Sequence, residues 1–273
     1  MSLAQSFRLC SGLQRFSCRQ YACMHFIETN EYKEKTMNIK NVFFDLDGTL
    51  LPMDQDAFTK LYFKNLAKRL APHGYDAEKL ISAIWAGTGS MVKNGGSETN
   101  EEAFWKTFTA IFPENGRKDE PVFEDFYKNE FANAKVACGY TENASKVVSF
   151  LKEKGVNLIL ASNPIFPMIA QKNRMTWAGV NPDDFSYITS YENSHFCKPN
   201  PAYYTEILEK NGLNADECLM VGNDAIEDAA AEKAGIHVFL ITDCLLNKDG
   251  RDISCYQHGN YNDLIKYLEN AFS

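Results

Sequence analysis

From Cys138-Gly139 onward the chain alternates amphipathic stretches with short apolar runs, and this alternation constrains the fold more than any other feature. Helical patterns over 142–154, 167–178, 201–211 and 226–234 lead to strand-like runs over 157–161, 185–189, 218–221 and 237–241, and a last helix is expected over 261–271. Gly155 and Gly235 punctuate two of the joins. Repeated helix–strand units of this length predict a parallel sheet with helices on both faces. A fifth apolar run, 39–44, reads as a buried strand that ends in Asp45-Leu46-Asp47-Gly48-Thr49.

Between that run and the alternation lies a long helical stretch. Phe58, Leu61, Tyr62, Leu66 and Leu70 recur at helical spacing, Leu80, Ile81, Ile84 and Trp85 mark a second helix, 101–112 a third, and 119–134 a fourth. The fold class is therefore α/β: a Rossmann-like doubly wound parallel sheet over 37–53 and 136–273, with an inserted α-helical cap over 54–135. Trp85 and Trp105 fall on helical stripes and are expected in the core of the insert. Gly87-Thr88-Gly89-Ser90 reads either as a flexible turn or as a segment reaching towards the site.

Hydrophobic residues make up 45% of the chain, enough for a sizeable core, yet no apolar run approaches the ~18 residues that span a bilayer. The net charge of −8 discourages binding to nucleic acid, and no basic stripe interleaved with aromatics is present. The expectation is a cytoplasmic protein with no membrane or nucleic-acid partner. The eight cysteines form no CxxC pair and lie at no zinc-ligand spacing from a histidine, so reduced thiols are expected, with Cys218 packing as a small hydrophobe. Residues 1–36 read as an extension that does no chemistry, disordered or not native. Its first 27 residues carry three arginines, four serines and no acid, a pattern shared with organellar transit peptides, while Met37 offers an alternative start.

Functional groups of an open parallel sheet collect beyond the carboxyl ends of its strands. Here those ends supply Asp45 and Asp47, then Ser162-Asn163, then Lys198-Pro199, and finally Gly222-Asn223-Asp224 through Asp228. Two carboxylates two residues apart can hold one hard cation and still present an oxygen for attack. In so acidic a chain, a cation at the site is needed to admit an anionic substrate. A hydroxyl and a lysine can then steady the oxygens of a transferring phosphoryl group.

These four motifs, in this order, resemble those of the haloacid dehalogenase-like hydrolase superfamily over residues 38–273, and the insert resembles its type I helical cap. The resemblance implies a magnesium-dependent phosphatase acting on a small phosphorylated metabolite. It implies Asp45 as nucleophile and metal ligand, and Asp47 as general acid/base with its carbonyl on the metal. Ser162, Asn163 and Lys198 would bind the phosphoryl group, and Thr49 would stand behind the first motif. In the fourth motif Asn223 stands where an Asp commonly follows the Gly. The third metal ligand is then Asp224, or else Asn223 together with Asp228. A phosphomutase would keep all these residues and is the alternative. Asp47 argues against a dehalogenase, and the complete set of groups argues against an inactive binding module. The histidines, His195 included, are expected to do no chemistry.

Overall fold

Val42-Phe43-Phe44 is apolar on both pleats, a pattern satisfied only in a strand covered on both faces. The computed structural model describes residues 38–272, and in it this run forms β1 (Asn41–Phe44), buried along its whole length. Four helices follow: α1 (Gln55–Leu70), α2 (Ala77–Val92), α3 (Asn100–Ile111) and α4 (Glu120–Lys128). The alternating part comprises α5 (Glu142–Glu153), β2 (Asn157–Leu160), α6 (Met168–Trp177), β3 (Tyr187–Ile188), α7 (Pro201–Asn211), β4 (Cys218–Gly222), β5 (His237–Ile241), β6 (Gln257–Gly259) and α8 (Tyr261–Ala271).

The strands form one parallel sheet in the order β3-β2-β1-β4-β5-β6, so the chain winds outward in both directions from β1. Period-two alternation divides the core. Val42 and Phe44 face α5 and α8 through Val147, Leu151, Leu264 and Leu268, whereas Phe43 faces Tyr203, Tyr204 and Ile207 of α7. The α/β expectation holds. The order reverses between β1 and β4, and their carboxyl ends flank the crevice where such sheets bind ligands.

The first three inserted helices start where side chains satisfy their first amides. Asp54 accepts from Ala57 N–H at 2.9 Å, Asp76 from Lys79 N–H at 2.9 Å, and Thr99 forms a capping box with Glu102. Phe58, Tyr62, Phe108, Phe126 and Phe131 are buried among them, in a core continuous with one face of the sheet.

Three expectations are corrected. The helix over 119–134 is broken: α4 stops at Lys128, Asn129 departs to φ −121°, ψ −80°, and 3-10 turns cover Glu130–Ala137. The helix over 226–234 is a turn followed by a 3-10 segment, Ala229–Ala234, because Asp224 draws the amides of Ile226 and Glu227 onto its own carboxylate. Gly87–Ser90 is not a flexible turn: it lies within α2, where a Cβ at Gly87 would stand 2.5 Å from the Phe104 ring, and its Thr88 reaches the cavity described below. No helix among the described residues is long and apolar enough to cross a membrane. Cys138, Cys197, Cys218 and Cys244 are free thiols, and Cys218 is fully buried in β4. The readings of residues 1–36 lie outside the described residues.

Candidate active site

The β1 strand delivers Asp45 directly to the crevice, where its N–H donates to Val221 O of β4 at 2.9 Å. The chain then turns through Gly48 at φ +89°, a conformation that favours glycine. A Cβ there would meet the Asn223 side-chain nitrogen at 2.3 Å, so a glycine lets Asn223 of the fourth motif approach this turn closely. The Thr49 hydroxyl lies 3.0 Å from Asn223 Oδ1 and 3.3 Å from Asp45 Oδ2.

Lys198, from the loop after β3, is buried between two carboxylates. Its Nζ donates to Asp45 Oδ1 at 2.9 Å and to Asp228 Oδ1 at 2.6 Å. Burial works against its charge, but Asp228 and Asp45 outweigh that and hold its pKa well above the ordinary lysine value. Burial also dominates at Asp45, raising its carboxyl to about 7 despite the lysine. The second oxygen of Asp228 accepts from the N–H groups of Asn223 at 2.8 Å and Asp224 at 2.9 Å. Both Asp228 oxygens are therefore engaged within the protein, closing the β4 loop and holding the lysine. Gly222 makes room for this carboxylate, since a Cβ there would sit 2.2 Å from the Asp228 carboxyl carbon.

Ser162 is buried at the end of β2, with its carbonyl fixed by the Thr189 hydroxyl at 2.7 Å and the Tyr203 hydroxyl at 2.8 Å. Asn163 donates through Nδ2 to Glu227 Oε2 at 3.1 Å, while its own Oδ1 is buried without a partner. Glu227 thus joins the site, and burial raises its carboxyl to about 7. Asp224 spends Oδ1 on the amides of Ile226 and Glu227, at 2.7 and 2.8 Å. Asn223 donates to Cys244 O at 2.7 Å.

Asp47 brings a residue that sequence reasoning missed. Its Oδ2 is ion-paired with Arg174 of α6, while Oδ1 is buried without a partner. Arg174 is fully buried, lies over the Phe166 ring at 4.5 Å, and also donates to Gln171 Oε1. His195 is engaged elsewhere, with Nδ1 2.6 Å from Glu206 Oε1.

Asp45, Asp47, Ser162, Asn163, Asn223, Asp224, Glu227 and Asp228 all line one cavity of about 440 Å³. Its opposite walls come from the inserted helices. Both insert tryptophans line it: Trp105 is buried, as expected, whereas Trp85 is 40% exposed instead of filling the core. Among the described residues, no three His, Cys, Asp or Glu side chains cluster as a ready-made metal cage.

The fold and this arrangement of strand-end groups define a class, and comparison with known proteins agrees. The family model for haloacid dehalogenase-like hydrolases matches residues 39–235, and the chain belongs to that family. It is 27% identical over 240 residues to the glyceraldehyde 3-phosphate phosphatase of Methanothermobacter thermautotrophicus, covering 79% of this chain and 94% of that protein. It is 27% identical over 237 residues to the phosphoglycolate phosphatase of Aliivibrio fischeri, covering 85% and 95%. The crystal structure of a HAD phosphatase from Thermococcus onnurineus shares the fold, with a TM-score of 0.52 at 18% identity over 85% of this chain and 99% of that one.

Proposed function

We propose that this protein is a magnesium-dependent phosphatase that hydrolyses a small phosphate monoester through an aspartyl-phosphate, in the cytoplasm. The observation that carries the reading is Asp45, placed at the crevice by β1 and bridged by Lys198 to Asp228, with Asp47 two residues further along the same cavity wall. Phosphatase relatives spanning most of the chain support it.

In this mechanism an Asp45 oxygen attacks phosphorus and the ester oxygen leaves as Asp47 protonates it. Asp47, now a carboxylate, takes a proton from the water that hydrolyses the acyl-phosphate. Lys198 holds Asp45 in line and faces the charge that gathers on the phosphoryl oxygens. Ser162, with its backbone fixed from two sides, and Asn163 would orient those oxygens. Arg174 anchors the Asp47 side chain from behind.

The donors present fit a magnesium ion, which prefers one or two carboxylates and fills its remaining positions with water and substrate oxygens. The Asp45 and Asp224 carboxylates and the Asp47 carbonyl would hold it, and Asp228, with both oxygens spent, would not contact it directly. When bound, it offsets the repulsion between an anionic ester and this acidic site. The inserted helices over 54–135 would act as the cap, excluding water from the phosphoryl group and setting specificity.

The test is phosphate release from a panel of small esters, with and without magnesium, by wild type and Asp45→Asn. Turnover that needs magnesium and disappears in the variant is expected. A folded, metal-binding protein inactive on every ester would refute the reading and favour a phosphomutase or a binding module.

A further inference from the structure

The cavity is larger and more apolar than a two- or three-carbon phosphate ester requires. Its volume of about 440 Å³ lies within the ~300–1,000 Å³ range of sites for drug-sized ligands. Opposite the carboxylates the walls include Phe63, Trp85, Phe104 and Trp105. Trp85 packs against Phe63 with ring centroids 5.3 Å apart while remaining 40% exposed. A large aromatic left bare beside a catalytic cavity is a surface that a ligand can cover.

The polar groups that the inserted helices bring to this side are neutral and offer nothing to balance a charge on the alcohol. The hydroxyls of Tyr62 and Tyr127 face each other at 3.0 Å, one donating to the other. Gln55, Thr59 and Thr88 are neutral. No lysine, arginine or histidine of α1–α4 lines the cavity. Among the described residues the one lining cation is Lys248, two residues beyond Leu246, whose N–H donates to Asn223 O at 2.8 Å. It therefore belongs to the core loops beside the fourth motif. A carboxylate on the alcohol moiety would be desolvated against aromatic rings with no counter-charge from the inserted helices.

We infer that the substrate's alcohol is an uncharged, ring-bearing group whose phosphate is its only anion, an inference that rests on the phosphatase reading above. The ring lies between Phe63, Trp85, Phe104 and Trp105, and the ester oxygen points towards Asp45 and Asp47.

The test compares kcat/KM for 2-phenylethyl phosphate, ethyl phosphate and phosphoglycolate with magnesium present. Both alkyl esters expel a primary alkoxide, so their difference reports the ring. The phenylethyl ester is expected to be favoured over ethyl phosphate on the order of fiftyfold, the effect of taking one benzene ring out of water, and over phosphoglycolate by more. Trp85→Ala, at a half-exposed position, should cut the phenylethyl-to-ethyl ratio about tenfold, and Phe63→Ala should cut it in the same direction. Equal turnover of the two alkyl esters, a preference for phosphoglycolate, or variants that slow both alkyl esters alike would overturn the inference and leave the phosphatase standing. Release from none of the three, nor from the wider panel, would remove both.

Discussion

Arg174 and Asp47 form an ion pair whose two ends differ in burial, and that difference predicts unequal costs for removing either partner. Arg174 is fully buried; its guanidinium is ion-paired with Asp47, donates to Gln171 Oε1 and to Ala170 O at 3.4 Å, and lies over the Phe166 ring. Asp47→Ala would leave that charge buried without a counter-charge, which costs about 3–5 kcal/mol. Arg174→Met keeps most of the stem's volume and leaves Asp47, whose side chain is 26% exposed at the cavity and can take water, so about 1–2 kcal/mol is expected. The double variant removes both charges and should be more stable than Asp47→Ala alone, giving a coupling energy of about 2 kcal/mol or more. Urea unfolding at pH 7, read as midpoint shifts at constant slope, measures all three. The reasoning is refuted if Arg174→Met costs as much as Asp47→Ala, or if the two effects add to within about 0.5 kcal/mol.

Gly222→Ala drives a methyl into the Asp228 carboxylate, which is tied to Lys198 and two amides; a loss of about 3 kcal/mol in thermal melts and at least ~100-fold in phosphate release are expected. Tyr203→Phe removes one of two donors to the Ser162 carbonyl, so stability should fall by about 1 kcal/mol. Because Thr189 keeps its bond, kcat should stay within about threefold. Burial works to raise the Glu206 pKa, but bonds from Lys210 and His195 outweigh it and hold the carboxyl below its ordinary 4.5. A depressed pKa stabilises the fold above the unfolded value and is lost as pH falls through the folded one. Glu206→Gln should therefore cost about 1 kcal/mol at pH 7 and progressively less as the pH is lowered below 4.5, as measured by urea unfolding over that range.

Legibility in the sequence followed burial. Strands β1, β2, β4 and β5 announce themselves because each is an apolar run covered on both faces. The edge strand β6 does not, since Gln257-His258-Gly259 is polar and its pairing with β5 is decided by tertiary placement. Asp45, Asp47, Ser162, Lys198 and Asp228 were readable because a parallel sheet gathers its strand ends at one edge. Arg174 was not: on an amphipathic helix an arginine reads as a solvated residue, and only the way α6 docks turns it inward. Glu227 was hidden in the same manner, within a segment expected to be helical that is a turn. Trp85 shares the apolar spacing of its neighbours Leu80 and Ile84, and periodicity alone cannot separate a residue that fills a core from one that borders a cavity.

The central position of β1 has a consequence for synthesis. Asn41 pairs with Asn157 on one side and with Cys218 on the other, so this strand acquires its second neighbour only after about 180 further residues have been made. At ~5–20 residues per second, that interval is on the order of ten to thirty seconds. Throughout it, Val42-Phe43-Phe44 has neither a complete ladder nor a cover on both faces. Among the described residues, the first strand to leave the ribosome is thus the segment for which a chaperone has the longest opportunity, and a chain stopped before β4 would leave these apolar residues incompletely covered.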